Sequence, residues 1–189
     1  MTRFIKALQF TVVPAALLAL SLPAVPSAMA DAPFGTDGDL QYAGELWSAL
    51  EARGLAGSKP IYSRPYVGTE PHGFVLETLE GRASVRGHED WAVVKRNYGP
   101  AGISVEAVSN ERSKHLKAIT VMFKREQGYD PDNQDWFWVK YASDGSVLKN
   151  PKGMALAGKV AKGMDKGCIA CHNKAFGGDY IFSTDRLKP

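Results

Sequence analysis

The sequence predicts an α+β domain, a mainly antiparallel sheet with helices flanking it at both ends. Three observations carry that expectation. Five segments between residues 74 and 141 are rich in Val, Ile, Phe, Trp or Tyr, the residue types that fit a pleated, half-buried surface. Turn chemistry punctuates them, at Gly128-Tyr129-Asp130-Pro131-Asp132-Asn133 and at Asp144-Gly145. Helical signals are confined to the two ends of the chain.

Residues 1–30 stand apart from that fold. Arg3 and Lys6 form a basic start, residues 15–22 are apolar, and Ala28-Met29-Ala30 is a small-x-small cleavage signature. The segment reads as a secretory signal peptide cut after Ala30. Pro14, Pro23 and Pro26 interrupt it well short of the roughly 20 apolar residues a membrane span needs. It holds two of the 23 basic residues and none of the 20 acidic ones, so cleavage lowers the net charge from +3 to +1. Nothing in that balance argues for a nucleic-acid surface.

Residues 31–189 read as one folded unit, with an N-terminal helix and long connection over 31–72 and the main domain over 73–189. Asp39 is the expected cap of a helix running to about Arg53. Leu40, Ala43, Leu46, Trp47 and Leu50 share one face of it, and Gly54 stops it. Pro60, Pro65 and Pro71 make 56–72 a long connection. Strands are expected over 74–79, 91–98, 103–108, 118–125 and 136–141. Asp144-Gly145 turns the chain into a short segment at 146–148, and Asn150-Pro151-Lys152-Gly153 turns it again. Residues 154–164 are read as helical, loosened by Gly163 and Gly167.

The motif that carries chemistry is Cys168-Ile169-Ala170-Cys171-His172. C-x-x-C-H is the attachment signature of a covalent c-type haem. Two thiols one helical turn apart reach the two vinyl groups of one porphyrin, and the adjacent His lies beneath the iron as its ligand. The motif uses both cysteines of the chain, and covalent haem is assembled outside the cytoplasm, which the leader independently provides for. A zinc site needs two further ligands, whereas His72, His88 and His115 are scattered without paired spacing. A thioredoxin-type pair belongs near the start of a βαβ unit, not close to the C-terminus.

The position of the motif is informative too. No Met or His follows His172. A sixth iron ligand therefore has to come from upstream: Met122, Met154, Met164, His72, His88, His115 or a lysine. The expectation is an open, five-coordinate iron, which suits small-ligand binding or redox catalysis better than electron shuttling.

The segment 91–141 argues against a four-helix haem bundle. Instead, Asp130-Pro131-Asp132-Asn133-Gln134-Asp135-Trp136-Phe137-Trp138, Trp91-Ala92-Val93-Val94-Lys95, and the haem motif followed by Asp179-Tyr180-Ile181-Phe182 resemble the cytochrome P-460 family over roughly 70–189. The resemblance implies a mainly antiparallel sheet packed with helices, one haem, and often a homodimer. It includes hydroxylamine-oxidising enzymes with a lysine bonded to the porphyrin, and cytochrome c′-beta, which binds nitric oxide without that bond. By this resemblance Lys95 is the candidate cross-link, with Lys124 the runner-up, and Tyr180 and Phe182 wall the haem.

Two functions follow as expectations. One is a periplasmic oxidoreductase acting on hydroxylamine or nitric oxide and passing electrons to a periplasmic acceptor. The other is a nitric-oxide-binding protein without turnover; a plain electron carrier ranks third. Glu77, Glu106 and His115 are candidate proton acceptors for the first. Phe123, Phe137 and Trp138 are candidate apolar caps for the second. Lys162, Lys166 and Lys174 flank the haem motif, either as a solvated face or as a steering patch for an acidic partner.

Overall fold

The computed structural model describes residues 33–182. The signal-peptide reading and its cleavage site lie outside the described residues. Among the described residues no helix is long and apolar enough to cross a membrane.

The helix α1 (Asp37–Ala52) opens with a reciprocal cap. The Thr36 side chain accepts from the Asp39 N–H, and the Asp39 carboxylate accepts from the Thr36 N–H at 3.1 Å. Asp39 is therefore the third helical residue of a capping box and not the cap expected of it; Thr36 is the cap, and the helix starts three residues earlier. Six strands follow as an antiparallel meander in chain order: β1 (Tyr66–Val67), β2 (Val75–Val85), β3 (His88–Tyr98), β4 (Leu116–Lys124), β5 (Trp136–Tyr141) and β6 (Ala157–Gly158). The short helices α2 (Val105–Asn110) and α3 (Arg112–His115) bridge β3 to β4, and α4 (Cys168–His172) follows the sheet. The α+β expectation with a mainly antiparallel sheet holds.

Three local expectations fail, each for a physical reason. Residues 103–108 form no strand: Ser104 accepts from the Ala107 N–H at 3.1 Å and starts α2, so a side-chain cap outweighs the β-branched composition. Residues 154–164 form no helix; Ala157–Gly158 pairs with Trp138–Val139 and closes the sheet as β6. Strand β2 runs six residues past its expected end, because Arg86 and Gly87, both at positive φ, make a two-residue hairpin. The paired charges on Arg82 and Glu89 beside that hairpin concealed a strand as a loop.

Period two divides the sheet into two faces. Ala92 and Val94 of β3, Val121 and Phe123 of β4, and Phe137 and Val139 of β5 face α1, which lays Tyr42, Leu46, Trp47 and Leu50 on them. Leu46 and Leu50 are fully buried, each contributing about 1.5–3 kcal/mol of transfer free energy. The Tyr141 hydroxyl donates to the Ala43 carbonyl at 2.7 Å and pins α1 to β5. The other face carries Val93, Met122, Trp136 and Trp138, covered by Ile169 and Tyr180 from the C-terminal segment. Both faces are therefore packed, and the second holds the site.

Candidate functional site

On the second face the register aligns side chains in rows. Val93, Met122 and Trp138 lie opposite one another across β3, β4 and β5. The next row is Lys95, Thr120 and Lys140. An apolar row thus adjoins a row with two amines, and both line a cavity of about 420 Å³. That size lies within the range of small-molecule sites. The opposite wall comes from α4 and the tail: Cys168, Cys171, His172 and Phe182.

Helix α4 sets the two thiols one turn apart, with Cys168 half-buried and Cys171 exposed. Burial pushes the Cys168 thiol up to about 11. The His172 ring is buried, 4.9 Å from the Trp138 ring and 5.3 Å from that of Phe182. Its Nδ1 lies 2.7 Å from the Tyr180 carbonyl oxygen. A carbonyl only accepts, so Nδ1 carries the proton and Nε2 keeps its lone pair. Burial, and secondarily the charge of Lys95, lower the His172 pKa to about 4, which keeps the ring neutral.

Tyr180 supplies that carbonyl from a left-handed backbone, φ 67°, a conformation costing a non-glycine residue about 1–3 kcal/mol. Its ring is held elsewhere: the hydroxyl donates to Asn133 Oδ1 at 3.3 Å. Asn133 in turn donates to the buried Asp130 carboxylate at 2.9 Å, and Lys162 is ion-paired with Asp130 and Asp132. The acidic turn at 130–135 therefore anchors the strained residue that orients His172. Lys162 belongs to this anchor rather than to a free basic patch, while Lys166 and Lys174 line the cavity mouth.

The structure sorts the remaining candidates. Lys95 lines the cavity, but Lys124 does not; its ammonium meets the Gln134 carbonyl and sits over the Trp136 ring. Phe123 and Phe137 point to the α1 face, so neither caps the cavity, whereas Trp138 does line it. Glu77 is also on the α1 side, fully buried, bonded to Arg112 at 2.8 Å and to the Tyr98 hydroxyl at 2.5 Å. Glu106 is exposed on α2, and His115 lies 3.9 Å from Glu111. None of these three acids and bases reaches the cavity.

Sequence reasoning missed Lys140 and Thr120, although alternation from Trp136 and Trp138 puts Lys140 on the same face. It named His72 only among several upstream candidates for the sixth iron position, without singling it out. The connection brings this ring edge-on to His172, with centroids 5.9 Å apart. His72 Nδ1 lies 3.4 Å from Thr120 Oγ1, and burial, then Lys95, His172 and Lys140, lower its pKa to about 3.

The donor set suits a haem. Two thiols one turn apart match two vinyl groups, a neutral imidazole with its lone pair free matches iron, and apolar walls match a macrocycle. The amines of Lys95, Lys140, Lys166 and Lys174 match its carboxylates. Trp138 buries its indole N–H without an acceptor among the described residues, a cost that a guest bearing acceptor oxygens relieves. The family model described as Cytochrome P460 matches residues 85–183, just over half of the chain. No curated protein and no solved structure matches it.

Proposed function

The chain belongs to the cytochrome P460 family and is a haem cytochrome, and from that premise we propose that it is an exported mono-haem c-type protein working as an oxidoreductase on hydroxylamine or nitric oxide. In this reading Cys168 and Cys171 hold one haem covalently and His172 is its strong iron ligand. The haem supplies one-electron chemistry and an iron position open to a small nitrogenous molecule. The mature protein begins at Asp31, resides in the periplasm as a homodimer, and passes electrons to a periplasmic acceptor.

The chain's own residues do the rest. The Tyr180 carbonyl, by holding the Nδ1 proton, fixes the His172 tautomer and raises the basicity of Nε2. Val93, Met122 and Trp138 form a dry wall. A dry wall strengthens each electrostatic contact inside the cavity. Lys95 stands at the edge of that wall, which suits the role of a third covalent tether to the porphyrin. Phe182 closes the cavity beside His172.

The observation that carries this reading is His172, its Nδ1 held by the Tyr180 carbonyl, in a cavity also lined by both cysteines and Lys95. Its test is hydroxylamine-dependent reduction of an artificial electron acceptor by the purified exported protein, run beside tryptic mapping. Turnover together with a haem peptide that joins residues 167–174 to the Lys95 segment supports the enzyme. Nitric-oxide binding without turnover, with Lys95 cleaved normally, makes the protein a scavenger instead.

A further inference from the structure

We infer that His72 is a second axial ligand, occupying the sixth iron position when no substrate is bound and leaving it when one arrives. The inference rests on the haem reading above and adds the resting state of the same site.

Geometry selects His72 from the upstream candidates. Met154 and Met164 are not among the residues lining the cavity. His88 turns Nε2 to the Lys124 carbonyl at 3.1 Å, and His115 lies beside Glu111. Met122 lines the cavity as part of the packed apolar cluster. His72 lines it with its ring perpendicular to His172, at 89°, and 5.9 Å away. Two metal–imidazole bonds of about 2 Å, with ring centres roughly 1 Å further out, put two axial imidazoles about 6 Å apart. The observed ring separation of 5.9 Å matches that spacing. Perpendicular planes are compatible with a common axis.

The hydrogen bonds prepare the right nitrogen. Thr120 Oγ1 donates to the Lys95 carbonyl at 3.4 Å and accepts from Asn97 Nδ2 at 3.3 Å. The same hydroxyl lies 3.4 Å from His72 Nδ1, and with Nδ1 engaged there Nε2 is the nitrogen available to a metal. His172 likewise has Nδ1 engaged and Nε2 left for a metal. Each imidazole meets its partner through Nδ1, His172 a backbone carbonyl and His72 a threonine hydroxyl.

The mounting differs, and the difference makes His72 the displaceable ligand. His172 sits in α4, next to a cysteine of the haem motif, with a 2.7 Å hydrogen bond. His72 sits between Pro71 and Gly73 in a connecting turn, with a 3.4 Å hydrogen bond. The backbone of that turn is held by the Gly68 N–H to the Phe74 carbonyl, the His72 N–H to the Thr69 carbonyl and the Phe74 N–H to the Tyr98 carbonyl, so the long Thr120 contact is the weak point of the ring's mounting. A weakly held loop imidazole closes the iron against stray ligands and yields to a stronger one.

The test compares the spin state of the purified haem protein with that of His72→Ala, by optical and electron paramagnetic resonance spectra. Low-spin ferric iron in the wild type, high-spin iron in the variant, and return to low spin on adding imidazole support the inference. If the position is closed nine-tenths of the time, apparent carbon monoxide affinity rises about tenfold in the variant. Identical spin states in the two proteins overturn the inference while leaving the covalent haem reading intact. Absence of covalent haem from the wild type overturns that reading and the inference with it. Should His72→Ala not fold, His72→Gln keeps the volume and is read in the same way.

Discussion

Glu77 offers a sharp separation between holding the fold and serving the site. Its carboxylate is fully buried and takes the Arg112 Nε–H at 2.8 Å and the Tyr98 hydroxyl at 2.5 Å. Arg96 lies directly opposite in the strand register, also buried, with one guanidinium nitrogen unpartnered among the described residues. Glu77→Gln keeps the shape and an acceptor but removes the negative charge from between two guanidinium groups. Removing one partner of a buried ion pair costs about 3–5 kcal/mol. The Arg112 side chain is 25% exposed and rehydrates in part, so the lower end, about 3 kcal/mol, applies. For a domain of this size that corresponds to a fall in Tm of roughly 6–12 °C. The assay is thermal unfolding by circular dichroism beside the visible spectrum. The variant is expected to melt early with an unchanged haem spectrum at 25 °C and, under the proposed function, unchanged hydroxylamine kinetics. A Tm within about 2 °C of wild type combined with an altered spectrum or lost turnover refutes the placement of Glu77 away from the cavity.

Three further outcomes are expected. Leu46→Ala, at the centre of the α1 face, should lose about 2–5 kcal/mol in urea unfolding while haem content per folded molecule stays the same. Burial raises the pKa of Tyr42 to about 12, and those of Tyr98, Tyr129 and Tyr141 further. The folded state holds these protons more tightly than the unfolded chain, so their contribution is complete below pH 10 and is lost as pH rises through about 12. A urea midpoint that falls between pH 9 and pH 11.5, with the tyrosinate absorbance of these four residues appearing only on unfolding, checks this. Tyr180→Phe removes the hydroxyl bond to Asn133 but keeps the carbonyl on His172, so it should cost about 1 kcal/mol and leave the iron spectrum unmoved.

Much of this molecule is readable from local pattern. The C-x-x-C-H motif is contiguous, and its chemistry is local, so Cys168, Cys171 and His172 stand out without any structure. Period two places Lys95 with Val93, and the register confirms that both face the cavity. The same rule reaches Lys140 from Trp138, a signal present in the sequence and overlooked. Where local chemistry competes, pattern fails: the Ser104 cap turned a β-branched run into α2, and Ala157–Gly158 found a strand partner in place of a helix. Glu77 and Phe123 could be assigned to a face only once their strands were paired. The sequence offers His72 among several upstream iron candidates, but its meeting with His172 lies beyond local reasoning, because it spans a hundred residues and depends on how the 56–74 connection crosses the sheet edge.

The central claim is that one haem is bonded to Cys168 and Cys171 and ligated by His172 in this cavity. Mass spectrometry of the purified exported protein after trypsin tests it most directly. The account predicts that the peptide of residues 167–174 carries one haem mass and that acid–acetone extraction leaves the haem on the polypeptide. A 167–174 peptide with both thiols unmodified, with haem passing into the acetone, contradicts it.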